Sequence, residues 1–222
     1  MSVKYWGDPV SQPCRTIEFI LRKLNIEHEN NHTVLFKDTR SEEFKKVNPR
    51  GKVPVIEHDG TKFFESASMA RYLLDVFEGP ETLLPRADLK ARAEVDALLD
   101  WNATTARPGI TNGALAKIVL GPTFFGAPKP TEEETKTVMD GLYAVLDEIE
   151  ERTGKHQYLA SDDLSIADVQ VYNEYVLAHT MLKFDTEKYP NTVAWASRLA
   201  EDPIVKELDE AMNKRLAEMS SS

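Results

Sequence analysis

The break at Gly79-Pro80 constrains the fold most. Before it, apolar residues come in short runs of changing period; beyond it, they recur at helical spacing through one long segment after another. Such a chain predicts a small mixed α/β layer followed by an all-helical part. The expected boundaries are 1–79 for the first domain, 80–88 for a linker and 89–222 for the helical domain.

Within the first part, Val3-Lys4-Tyr5-Trp6 reads as a strand and Gly7-Asp8-Pro9 as its turn. Pro13, acceptable in a first helical turn, precedes the stripe Ile17, Ile20, Leu21 and Leu24. Ser41-Glu42-Glu43-Phe44 reads as a short capped helix. Val55-Ile56-Glu57 and Lys62-Phe63-Phe64 flank His58-Asp59-Gly60-Thr61, whose Asp-Gly pair suits a hairpin turn needing positive φ. Met69, Tyr72, Leu73 and Val76 give a further helical stripe, completing the order β-α-β-α-β-β-α.

In the second part, Val95, Leu98, Leu99 and Asn102 share one helical face, and Val138, Leu142, Val145, Leu146 and Ile149 another. Thr131 with Glu134 spells a capping box, and Ser165 with Asp168 a related one, so folding rather than catalysis is the role read for Asp168. Pro108-Gly109, and Gly121-Pro122 through Pro130, predict breaks or loops. The chain shows no internal repeat, and Ser220-Ser221-Ser222 is its one low-complexity tract.

Composition excludes several classes of function. The 222 residues are 41% apolar, enough for a substantial core. With 37 acidic against 27 basic residues, nothing draws the chain generally to nucleic acid or anionic lipid. The first residues lack a signal peptide's apolar core, and no run nears the roughly 20 apolar residues of a membrane span. Cys14, the lone cysteine, has no internal disulfide partner, which fits a reducing, cytoplasmic setting. His28, His32, His58, His156 and His179 lack compact ligand spacing, so no metal is called for.

Three segments carry chemistry. In Asn48-Pro49-Arg50-Gly51-Lys52-Val53-Pro54-Val55-Ile56, Val53 is pushed toward extended backbone by the following proline, and Pro54 has no N–H to give a neighbouring strand. A cis Val53-Pro54 bond would leave the Val53 amide and carbonyl free to pair with the backbone of a bound peptide; the plainer alternative is a tight turn before an edge strand. Ser11-Gln12-Pro13-Cys14-Arg15 lies where helix-start N–H groups favour an anion, and a Ser11 hydroxyl there could hold a thiolate, unless it merely caps the helix. Ser-x-x-Cys stands where redox proteins carry Cys-x-x-Cys; Ser11 forms no mixed disulfide, so Cys14 reads as packing. At Glu65-Ser66, a carboxylate can accept an ammonium while the Ser66 hydroxyl and helix-start amides bind a carboxylate, together matching an amino-acid end group; the alternative is a simple cap.

On these residues the chain resembles the cytosolic glutathione transferases along its whole length: Ser-x-Pro-Cys-Arg after the first strand, Lys52-Val53-Pro54, Glu65-Ser66, and Ser165-Ile166-Ala167-Asp168, in that order. The first of these looks like the theta class, as does Ala91-Arg92-Ala93-Glu94-Val95-Asp96 running into Trp101, Thr104, Thr105 and Arg107, with the delta class close behind. The resemblance implies a thioredoxin-like amino-terminal domain, an all-helical second domain covering the electrophile, a homodimer, and glutathione as co-substrate with no further cofactor. It implies that Ser11 donates to the glutathione sulfur, Val53 pairs with the cysteinyl backbone beside cis-Pro54, Glu65 and Ser66 hold the γ-glutamyl end, and Lys52 and Arg40 lie near the glycyl end. Arg107 and Trp101 would belong to the electrophile side. The activity implied is conjugation of glutathione to small hydrophobic electrophiles; the alternatives are a non-catalytic carrier or scaffold and a glutathione-dependent peroxidase.

Overall fold

The computed structural model describes residues 2–220; Met1, Ser221 and Ser222, and with them two of the three tail serines, lie outside the described residues. Contacts gather the chain into two units, one running to Leu84 and resuming at Glu201, the other spanning Pro85–Ala200.

The first unit is built on a four-stranded mixed sheet in the order β2-β1-β3-β4. Its elements follow the expected order: β1 (Val3–Gly7), α1 (Gln12–Lys23), β2 (His28–His32), α2 (Glu42–Val47), β3 (Val55–His58), β4 (Thr61–Phe63) and α3 (Ser66–Val76). β1 runs parallel to β2 and antiparallel to β3, with Tyr5 opposite Ile56 and Trp6 opposite Val55. Val3, Tyr5 and Gly7 alternate inward along β1, the period of a strand with one face on the core. Asp59 and Gly60 both have positive φ, 47° and 82°, which is what a two-residue hairpin between right-twisted strands demands.

Ile17, Ile20 and Leu21 are fully buried, as the stripe on α1 predicts. On α3 the buried stripe is Met69, Ala70, Leu73 and Leu74, whereas Val76 is 42% exposed. Tyr72 is only partly buried as well, so the buried face is turned by about one position along the helix toward Ala70 and Leu74. Leu83 and Leu84 fall within the expected linker, yet both are buried in the first unit. α9 (Pro203–Ser220) also belongs to this unit, whereas the sequence boundaries predict it in the helical domain. It buries Val205, Leu208 and Met212, and ion pairs flank that face: Glu207 with Arg22 at 2.9 Å, Asp202 just before the helix with Lys23 at 3.1 Å, and Arg215 with the buried Asp8 at 3.3 Å.

The second unit is helical. α4 (Leu89–Trp101) starts at Asp88, whose carboxylate accepts the Lys90 and Ala91 amides. It passes without interruption into wider π-type turns over Asn102–Ala106 and Pro108–Leu120, and then into α5 (Gly121–Phe124). The breaks expected at Pro108-Gly109 and Gly121-Pro122 are therefore absent. Pro108 lies inside this continuous helical run, where it gives up one ladder hydrogen bond, and the wider π-type turns flank it on both sides. Gly109 is a close-approach site, since a Cβ there would lie 2.8 Å from the Gly141 carbonyl oxygen and 2.9 Å from a Val145 methyl. The chain turns only near Gly126, at φ 64°.

α6 (Glu132–Thr153) opens with the Thr131–Glu134 capping box and buries Leu142, Val145, Leu146 and Ile149. α7 (Ile166–Leu182) is buried on nearly every side from Ile166 to Ala178, which is why it shows no polar stripe. α8 (Pro190–Ala200) completes the unit. Among the described residues, no helix is long and apolar enough to cross a membrane.

Candidate functional site

Strand register brings the three chemistry-bearing segments of the first unit to one end of its sheet. β1 leaves the sheet toward Ser11 at the end where Trp6 faces Val55; β3 enters there from Val53-Pro54, and β4 departs there toward Glu65, one step beyond the Ile56–Phe63 pair. Residues up to 54 positions apart in sequence therefore converge (65 minus 11).

Ser11 occupies the cap position of α1 with extended backbone, φ −77° and ψ 119°, but its side chain makes no capping hydrogen bond. The hydroxyl instead lies in hydrogen-bonding reach of the Cys14 thiol. Burial pushes that thiol up to about 11, outweighing the Ser11, Asp8 and Tyr5 hydrogen bonds that favour its anion. A thiol kept neutral in this way can donate S–H to the Ser11 oxygen and leave the hydroxyl proton to point elsewhere.

The loop presenting Ser11 is clamped from two sides. Asp8, 1% exposed, accepts the Val10 amide at 3.1 Å, the Leu35 amide at 2.8 Å and the Arg215 guanidinium. Arg15, fully buried, donates to the Pro9 and Val10 carbonyls at 3.0 and 3.2 Å. In the sequence Asp8 and Arg15 stand out only as parts of a turn and a motif, and nothing local marks Arg215, whose partner Asp8 lies 207 residues away.

The Val53-Pro54 bond is cis. Val53 is buried and stands two residues ahead of β3, outside the paired register. Asn48, 3% exposed, shapes the turn leading there: its amide donates to the Lys52 carbonyl at 2.6 Å and its oxygen accepts the Arg50 amide at 3.0 Å. Gly51, at φ 61°, is required in this turn because a Cβ would stand 2.8 Å from the Thr39 carbonyl oxygen. Lys52 itself is exposed.

Glu65 rather than Ser66 is the cap residue of α3, and Ser66 is the helix's first residue. Glu65 has φ 67°, a region a non-glycine residue enters only where surrounding structure holds it, and one recurrent at ligand sites. Its carboxylate makes no capping bond and reaches out to Arg50 at 2.6 Å. Arg40 ends a short 3₁₀ turn, Asp38–Arg40, with its guanidinium 5.8 Å from the centre of the Phe36 ring.

Trp101 and Arg107 belong to the helical unit. The Trp101 indole donates to Glu148 at 2.9 Å. Arg107 pairs at 2.6 Å with Glu174, whose side chain is 2% exposed and also accepts the Thr111 hydroxyl.

Residues 6–81 match the family profile described as glutathione S-transferase, N-terminal domain, and residues 114–203 the profile described as glutathione S-transferase, C-terminal domain. The mouse protein named glutathione S-transferase theta-1 is 30% identical over 203 residues, covering 90% of this chain and 82% of the mouse protein. A protein of Methylorubrum extorquens named dichloromethane dehalogenase is 29% identical over 213 residues, covering 91% of this chain and 72% of its own length. A human theta-class enzyme solved with the glutathione conjugate of 1-menaphthyl sulfate superposes with TM-score 0.86 at 27% identity, over 99% of this chain and 89% of that one.

Proposed function

The chain belongs to the glutathione S-transferase family, in its theta-like branch, and on that footing we propose that it conjugates reduced glutathione to small hydrophobic electrophiles. Glutathione supplies the sulfur nucleophile and needs no additional cofactor. A free thiol is only a few per cent ionised at neutral pH, so the protein's task is to favour the anion. Ser11 donates its hydroxyl proton in a hydrogen bond to the sulfur. The thiolate then attacks an electrophilic carbon, forming a C–S bond as the leaving group departs with its electron pair. Orientation and anion stabilisation are the protein's share of the catalysis.

The other roles follow. Val53, beside Pro54, pairs with the cysteinyl backbone of glutathione. Glu65 takes the γ-glutamyl ammonium, Ser66 its carboxylate, and Lys52 and Arg40 lie toward the glycyl end. Arg107 and Trp101, in the helical part, are the electrophile-side candidates. The first unit, up to Leu84 and with α9, is the glutathione-binding part, and the helical Pro85–Ala200 unit supplies the electrophile residues. A homodimer, a cytoplasmic setting and a role in detoxification belong to the same reading.

The observation that carries this is the Ser11 hydroxyl, which sits at a helix start without being spent on the cap. The test is Ser11→Ala assayed with glutathione and a haloarene or dihalomethane. Turnover should drop by about a hundredfold or more while glutathione affinity changes little. Equal turnover in the two proteins removes Ser11 from the mechanism. Recovery of oxidised glutathione in place of a thioether would replace conjugation by peroxide or disulfide reduction.

A further inference from the structure

We propose that Arg50 and Glu65 form a clamp for a zwitterion: their mutual ion pair opens when the α-amino-acid end of glutathione arrives, Glu65 taking the ammonium and Arg50 joining Ser66 on the carboxylate beside it. This rests on the glutathione reading above and adds Arg50 to the residues that select the ligand.

Four observations support it. The pair is close, at 2.6 Å, and joins two segments that converge at the same end of the sheet. Both side chains are mostly exposed, 63% for Arg50 and 73% for Glu65, so an arriving ligand can reach either one. Glu65 holds its carboxylate outward from a positive-φ backbone and uses none of it to cap α3. Arg50 has its amide fixed by the buried Asn48, while Glu65 is the one hydrogen-bond partner described for its exposed guanidinium.

Charge then dictates the exchange. An exposed ion pair is worth only about 0.2–1 kcal/mol, so opening it costs little. An α-amino acid carries its ammonium and carboxylate on one carbon. An ammonium seated on Glu65 therefore brings a carboxylate within reach of the guanidinium it has just displaced. One neutral pair and one zwitterion become two opposite-charge contacts with no net charge added, and the planar guanidinium can meet the carboxylate through two parallel N–H groups. A ligand with the ammonium alone would displace Arg50 without giving it a new partner.

The experiment compares wild type, Arg50→Gln and Arg50→Lys for KM and kcat with glutathione, and with an analogue whose γ-glutamyl α-carboxylate is replaced by hydrogen. The clamp requires Arg50→Gln to raise the KM for glutathione about three- to tenfold with kcat within twofold. Lysine should restore part of the loss, and with the analogue wild type and Arg50→Gln should become equal. A lower or unchanged KM for glutathione in Arg50→Gln overturns the clamp and makes Arg50 a competitor or a bystander. So does an equal penalty with glutathione and the analogue. Wild type that fails to bind glutathione at all overturns the underlying reading, a result separable from the others because it appears before any substitution is made.

Discussion

The Trp195 indole N–H donates to Asp168 at 2.9 Å, and both side chains are fully buried. The same carboxylate accepts the Leu159 amide at 2.8 Å, the Ser165 amide at 3.0 Å and the Ser165 hydroxyl at 2.6 Å. Burial raises the pKa of Asp168, while these donors pull the other way. One side chain thus both starts α7 and ties it to α8 and to the segment before it. Asp168→Ala leaves the indole and the Leu159 amide buried without an acceptor and should cost about 3–5 kcal/mol of unfolding free energy, measured by denaturant titration. Asp168→Asn, which keeps one accepting oxygen, should cost less.

Cys14 makes the first unit sensitive to alkali. A thiol whose ordinary value is 9.0 but which burial lifts to about 11 holds its proton longer in the native fold than in the unfolded chain. Its contribution to stability is whole below pH 9.0 and is lost as pH climbs through about 11, a loss of roughly 2–3 kcal/mol. Tyr5, buried and hydrogen-bonded to the Cys14 carbonyl, has its pKa raised too and acts in the same direction. Cys14→Ala should therefore flatten the alkaline limb of a stability-versus-pH curve without abolishing it. In the native protein Cys14 should resist alkylation at pH 8 and react only on unfolding; rapid native-state labelling would contradict the burial.

Gly51→Ala is expected to damage the turn before Val53. The positive φ alone costs about 1–2 kcal/mol for an L-residue, and the new methyl would also press on the Thr39 carbonyl. The measurable consequence is a lower thermal midpoint together with weaker retention on immobilised glutathione. An unchanged midpoint would show that the turn can relax.

Substituting Arg107 should lower stability as well as any activity. Arg107→Ala strands the buried Glu174 carboxylate with Thr111 as its remaining described hydrogen-bond partner. Because Arg107 is 32% exposed, a loss of roughly 1–3 kcal/mol is expected, below the range for a fully buried pair. The double variant Arg107→Ala with Glu174→Gln should recover part of it. If it recovers stability but not turnover, the guanidinium has a role in the reaction apart from holding Glu174.

Much was readable from sequence because it is encoded over a few neighbouring residues. The apolar stripe of α1, the Asp59-Gly60 hairpin, the Thr131–Glu134 cap and the shift from mixed to helical segments each depend on spacing within one element. The candidate residues Ser11, Val53, Glu65 and Ser66 were likewise marked by local chemistry beside a proline or a helix start. Tertiary structure decided the rest. Asp8 and Arg215 lie 207 residues apart, and no local rule joins them. The helix running through Pro108-Gly109 persists because α6 packs onto the bare glycine backbone, and α9 joins the first unit because it packs on α1 with Val205, Leu208 and Met212 buried and charges matched alongside. Local preferences amount to fractions of a kcal/mol per residue, and packing or ion pairing between distant segments overrides them wherever the fold brings the partners together.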